Sequence, residues 1–217
     1  MAEKSIRDKI IETALYLFEK HGYHGVGVNK IVEESGTSKG GFYHNFKSKD
    51  ELLYTIHDAF ITYAVDNAKK ACENWNTPRE RLYYIIKSFA RVFFYYKPHT
   101  TVFYQESVYL SPEYSDSIKK KRDQYRDMIY GVIHDGIQRG EFLPNLPVPI
   151  IGMSIFGMVN WTYKWYRPDG DYSIEQIADI YADLILNSIM TEEAKKSHTF
   201  SDFFSPEMNM GNRMFDM

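Results

Sequence analysis

Apolar residues recur at three- and four-residue spacing along almost the whole chain, and no stretch alternates with period two, so the chain must fold as packed helices. Ile10, Ile11, Ala14, Leu17 and Phe18 mark a first helix over 5–21, stopped at Gly22. Val28, Ile31 and Val32 mark a second over 28–35, ended by Gly36. Thr37 and Ser38 cap a short third helix through Asn45, and Ser48-Lys49-Asp50-Glu51 is a capping box opening a long fourth helix to Asn74. Thr77-Pro78-Arg79-Glu80 repeats the device for a fifth helix over 78–96, which Pro98 interrupts. A sixth helix covers 99–109. Ser111-Pro112 opens a seventh, striped by Ile118, Tyr125, Ile129, Val132, Ile133 and Ile137 and stopped at Gly140. A proline-rich turn over 143–149 leads to an eighth helix over 148–166, and Arg167-Pro168-Asp169-Gly170 breaks it. Ser173 to Gln176 caps a ninth, which runs to 191. Beyond that the periodicity fails and four of the nine Met crowd the last ten residues, which predicts a flexible tail over 192–217. The predicted fold class is all-α, with nine helices and a tail.

Lys and Arg number 26 against 29 Asp and Glu, a formal charge of −3, so any DNA binding must come from a local patch. Such a patch exists. Ser35 to Lys49 holds three Lys and no acid, whereas 50–76 holds five acids and two Lys. Two short helices joined by a glycine turn, braced by a third, describe a helix-turn-helix unit. Within it Lys39 is expected to reach a phosphate or guanine, and Gly40 and Gly41 to let the backbone lie close to DNA. Thr37, Ser38, Tyr43 and His44 offer hydrogen bonds to phosphates, and Lys47 and Lys49 are expected to touch the DNA backbone beside the anion-favouring start of the fourth helix. Lys30 joins this candidate set from the second helix. Phe42 and Phe46 are assigned to the core. Gly41 lowers helix propensity by about 1 kcal/mol, so the third helix is expected to firm up on DNA.

Residues 6–53 resemble the N-terminal domain of the TetR family of bacterial transcriptional regulators. The resemblance is carried by Ala14, Phe18, Gly22-Tyr23, Val28, Ile31 and Gly36-Thr37-Ser38-Lys39-Gly40, followed by Phe42-Tyr43-His44-Asn45-Phe46, Ser48 to Glu51, and Leu52-Leu53. It implies a DNA-binding domain over 1–50 and a ligand-binding and dimerisation domain over 51–191. It further implies a homodimer formed by the eighth and ninth helices, and double-stranded operator DNA as partner. Gly41 stands where family members often carry Thr, Ser or Ala. On this reading Ile151, Gly152, Ile155, Gly157, Met158, Ile177, Ile180, Leu184 and Ile185 form the subunit contact, and the fourth helix transmits ligand occupancy to the DNA-reading helices.

The aromatic excess of 18 Tyr, 14 Phe and 3 Trp needs a place. Ten aromatics fall within 83–109, and Phe93 to Tyr96 are consecutive, so on one helix they point all round it and call for a second apolar surface, a cavity or a subunit contact. Phe93, Tyr96, Phe103 and Tyr104 are the candidate cavity lining. The segment from Asn160 to Gly170, with Gly136 to Phe142, resembles the subgroup of the family that responds to acyl-coenzyme A thioesters. There Lys164 and Arg167 suit phosphates and Trp161 or Trp165 suits stacking on adenine. Anchoring a subunit contact is the competing use of both Trp, and a hydrophobic drug is the competing effector.

No P-loop, Gly-x-Ser-x-Gly, dinucleotide fingerprint or His-Glu-x-x-His is present, so neither an enzyme nor a resident cofactor is expected. A helical dimer without a DNA role would leave the basic Ser35–Lys49 stretch unexplained. The single Cys72 excludes an internal disulfide and a Cys-based zinc site. The uncharged run from Phe142 to Tyr163 is broken by three prolines, short of the ~20 apolar residues a membrane span needs. With no signal peptide visible, a soluble cytoplasmic protein is expected, in which the glycosylation triplet at Asn160 is fortuitous.

Overall fold

The computed structural model describes residues 4–199. In chain order its helices are α1 (Ile6–His21), α2 (Val28–Glu34), α3 (Lys39–Asn45), α4 (Lys49–Asn74), α5 (Pro78–Tyr95) and α6 (Lys97–Glu106), then, after a 3-10 turn at Ser107–Tyr109, α7 (Pro112–Gln138), α8 (Val148–Trp165), α9 (Ile174–Ile189) and α10 (Glu192–Lys196). The fold is all-α, as the periodicity requires. Among the described residues the sole β feature is an isolated antiparallel bridge between Phe142 and Met190.

The helix ends follow from side-chain capping. Ser5 caps α1 by accepting from Asp8 N, and Ser173 and Gln176 form a reciprocal capping box on α9. At α5, Glu80 N donates to Thr77 Oγ1 at 3.3 Å while Thr77 N donates to Glu80 Oε2 at 3.2 Å. At α4, Ser48 accepts from Glu51 N at 3.0 Å, but the Glu51 carboxylate reaches one residue further back, to Lys47 N.

Two sequence expectations are corrected. Tyr96 lies outside α5, which ends at Tyr95; Pro98 seeds α6 rather than merely interrupting a helix, so the four consecutive aromatics do not share one cylinder. Residues 192–196 are helical rather than loose: Thr191 caps α10, and Arg79 donates to Ala194 O at 3.2 Å. Five residues are too few for a periodic signal. The rest of the expected tail, 200–217, lies outside the described residues.

The chain forms two compact units, one of residues up to Asp66 with Val92–Tyr125, the other of Asn67–Arg91 with the residues from Arg126 on. The first unit is built on one apolar core: Ile10, Ala14, Leu17 and Phe18 from α1, Ile31 from α2, Phe42 and Phe46 at α3, Leu52, Leu53 and Ile56 from α4, and Val102 from α6. In the second, α5 is tied to α9 by polar pairs. Tyr83 donates to Asp179 at 2.6 Å, Lys87 pairs with the same carboxylate, and Arg91 Nε donates to Glu175 at 2.9 Å. Trp75 stacks on Tyr84, and Phe89 meets Phe156 edge-on.

The Gly136–Phe142 segment has a structural account of its own. Gly140, at φ +71°, ends α7 in the left-handed region, and Glu141 N and Phe142 N both return to Gly136 O at 3.0 Å. Phe142 folds back over Gly136 so closely that a methyl group there would fall inside its ring. Gly136→Ala should therefore destabilise the protein by about 1–3 kcal/mol through overpacking. Thermal melts should show that this cost largely vanishes when Phe142 is already Ala, a non-additivity expected of touching residues.

Candidate nucleic-acid interface and effector region

The turn between α2 and α3 is fixed before any side chain reaches outward. Gly36 sits at φ +64°, a conformation that a Cβ would strain, and Thr37 N donates back to Val32 O at 3.1 Å. Ser35 and Thr37 share a hydroxyl–hydroxyl bond at 2.9 Å. Ser38 then caps α3, accepting from Gly41 N at 2.9 Å, and Asn45 Nδ2 donates to Gly41 O at 2.8 Å. With Phe42 buried beneath it, α3 is a complete seven-residue helix without DNA. An added Cβ at Gly40 or Gly41 would meet its nearest neighbour at 3.7 or 3.4 Å, so the protein's own packing demands neither glycine.

The side chains divide cleanly. Phe42 and Phe46 point into the core, as expected, while Lys39, Tyr43, His44 and Lys47 are exposed, Tyr43 at 55%. Lys30 is half-buried and lies 3.9 Å from Glu34 along α2. Ser38 is exposed and Thr37 half-buried, both with hydroxyls engaged in the turn.

Lys49 differs from the others. Its ammonium donates to Tyr23 O at 2.9 Å and Val26 O at 2.8 Å and sits 4.0 Å from the centre of the Tyr23 ring. It pins the α1–α2 turn from inside, and burial lowers its pKa. The same burial, with Asp50 nearby, pushes the Tyr23 phenol up to about 12. On the other side of that turn Tyr109 stacks on Tyr23 and meets His24 edge-on at 4.2 Å. Sequence reading also missed Arg7, whose guanidinium lies over the Phe46 ring at 5.4 Å; its only signal was a charge just past the α1 cap.

The candidate effector residues fall in two groups. Phe93 is buried in the first unit, Tyr96 packs on Tyr63 and His99, and Phe103 packs on Phe60, His57 and Tyr104. Trp161, Lys164, Trp165 and Arg167 belong to the second unit and are exposed, Trp161 at 62%. Lys164 lies over the Tyr163 ring, and neither it nor Arg167 pairs with a carboxylate among the described residues. The first group lies wholly in the first unit, with Phe103 and Tyr104 in ring contact, and the second group lies in the second unit. One buried polar group carried no sequence signal at all: His57, fully buried on α4, is held neutral by desolvation, its pKa pushed down to about 4. Burial likewise lowers His99. No group of metal-ligating side chains, and no helix long and apolar enough to cross a membrane, occurs among the described residues.

Residues 10–55 match the bacterial regulatory proteins of the tetR family, and residues 76–189 the tetracyclin repressor-like C-terminal domain. Among curated relatives, the HTH-type transcriptional repressor KstR2 of Mycobacterium tuberculosis is 25% identical over 190 residues, 87% of this chain and 94% of its own. Among solved structures, the regulator PfmR of Thermus thermophilus is 32% identical with a TM-score of 0.76, covering 82% of this chain and 97% of that one. AibR, solved in complex with isovaleryl coenzyme A and operator DNA, is 25% identical with a TM-score of 0.73, covering 83% and 97%.

Two kinds of lysine variant should separate. Lys39→Ala should leave the melting temperature unchanged and reduce the slope of log affinity against log salt by about one, read by fluorescence anisotropy on operator DNA. Lys49→Met should instead lower the melting temperature, because it leaves two turn carbonyls without their charged donor. The buried His57 ring also sets a pH dependence. Its folded pKa lies below the unfolded value of about 6.5, so the unfolded chain binds more protons; above pH 6.5 the ring is neutral in both states, and the protein loses stability as the pH falls from there towards 4. The difference amounts to about 3 kcal/mol. Urea unfolding at a series of pH values should show a correspondingly flatter acid limb in His57→Leu.

Proposed function

We propose that this chain, which belongs to the tetR family of bacterial regulatory proteins and is a DNA-binding transcriptional regulator, acts as a homodimeric repressor released from its operator by an acyl-coenzyme A thioester. The observation that carries the DNA half is the division of α3, with Phe42 and Phe46 holding it down while Lys39, Tyr43, His44 and Lys47 face outward on a basic edge. A helix so presented enters the major groove, with Thr37 and Ser38 at its N-terminal end beside the phosphates.

The subunit contact follows from an apolar stripe on α8 that the second unit leaves uncovered. Ile150, Met153 and Trp161 are each more than half exposed, Trp165 lies further along the same face, and Leu184 is exposed on α9. Gly157 sits within the stripe, open to close approach. Ile155, Gly152 and Ile177, expected at the contact, are buried within the protomer; a side chain on Gly152 would collide with Tyr130. The proposed contact is therefore turned along α8 from the face read in the sequence, and it assigns Trp161 and Trp165 to the partner subunit. A twofold dimer reads a pseudo-palindromic operator.

The AibR complex with isovaleryl coenzyme A supports a thioester as effector. In this reading the aromatic set around Phe103, within the first unit, takes the acyl part. The helix α4, whose residues belong to both units, shifts between a DNA-competent and a ligand-bound arrangement. A ligand moves that equilibrium only by its preference for the second state.

A fragment from upstream of the protein's own gene tests the scheme by mobility shift. The wild-type protein should retard it and release it on titration with octanoyl-CoA, whereas Met153→Asp combined with Leu184→Asp should sediment as a monomer and bind at least about 100-fold more weakly. Release by no acyl-CoA of any chain length would overturn the effector, and a dimeric double variant would overturn the contact.

A further inference from the structure

His57 is the odd residue of its helix. Leu52, Leu53, Ile56, Phe60 and Ile61 around it on α4 are buried and apolar; His57 is fully buried among them, and neither Nδ1 nor Nε2 meets a hydrogen-bond partner among the described residues. A neutral imidazole carries one N–H donor and one acceptor nitrogen. Leaving such groups unmade in an apolar interior is costly, and a leucine in the same place would avoid the cost. Packing alone therefore gives no reason for a histidine here.

What the ring faces narrows its use. Phe103 from α6 lies against it with centroids 5.0 Å apart, and Phe103 in turn packs on Phe60 at 4.5 Å and Tyr104 at 5.3 Å. These ring neighbours are aromatic, and the buried residues beside it on α4 are apolar. Burial holds the ligand-free imidazole neutral near pH 7, and a neutral ring can donate one directed hydrogen bond to an uncharged oxygen.

We propose that His57 is the specificity-determining residue of the effector site, donating a hydrogen bond to an uncharged carbonyl of the ligand while the packed rings of Phe60 and Phe103 lie against the carbon skeleton from one side. The assignment rests on the effector reading above, in which the acceptor is the thioester carbonyl. It places the polar recognition point on α4, ten residues before the helix passes into the second unit at Asn67, in the same helix whose start carries Lys49.

Isothermal titration with octanoyl-CoA and with its thioether analogue S-octyl-CoA, which lacks the carbonyl, tests this. The wild-type protein should prefer the thioester about five- to tenfold, the range one neutral hydrogen bond supplies. His57→Leu should bind the two probes within twofold of each other and melt at a higher temperature than wild type when ligand-free; His57→Gln, which keeps a donor, should recover part of the preference. If wild type binds octanoyl-CoA but shows no preference, or if His57→Leu keeps the full preference, the role of His57 is overturned and the thioester reading stands. If wild type binds neither probe, the thioester reading falls, and the proposed acceptor for His57 falls with it.

Discussion

Three helices of 16, 7 and 7 residues cannot bury enough apolar surface to stand alone, and the first unit meets this constraint by closing the core of α1–α3 with residues from outside it. Leu52, Leu53 and Ile56 come from α4, Val102 from α6, and Leu110 packs at the margin. The DNA-reading helices are therefore no separate bead on a linker. Their seating depends on side chains that belong to the body, and α6 with its 3-10 turn lies directly against α1 and the turn that follows it, Tyr109 on Tyr23. An effector that displaced α6 would be felt at that turn without any longer route.

Electrostatics in this unit are divided by burial. Lys49 lies half-buried and spends its charge on two carbonyls and a ring, where salt screens it little. Lys39 and Lys47 keep their charges in water, where the proposed DNA contact would use them. Asp50 and Glu51, in the first turn of α4, favour the helix dipole there and mark the limit of the basic edge. A chain with a net charge of −3 thus presents a positive edge by position rather than by composition.

Helix starts and stops were legible because they are local. Ser5, Ser38, Ser48, Thr77 and Ser173 each cap through a bond spanning three residues, and Gly22, Gly36 and Gly140 each end a segment at positive φ. The division of α3 was legible too, since Phe42 and Phe46 are four apart. What sequence could not give was orientation where apolar residues surround a helix. On α8, Ile150, Ile151, Met153, Ile155, Phe156, Met158 and Val159 offer two candidate inner faces, and only the packing of Tyr130 over Gly152 selects one. The inward engagement of Lys49 and the burial of His57 were missed for a related reason. A lysine at a helix start is ordinarily solvated, and the partners that draw this one inward lie 23 and 26 residues away. His57 is defined by what its ring fails to meet, which no spacing encodes.

The separation on α3 has a consequence for how such a protein can change. The residues that keep the helix in place and those proposed to face DNA share no position, so exchanging Lys39, Tyr43 or His44 leaves the core of Phe42 and Phe46 untouched. Surface substitutions of this kind generally cost little stability. If the proposed contact holds, a lineage carrying this scaffold can drift to new operators one side chain at a time, with the fold acting as a constant chassis and the address written on its removable face.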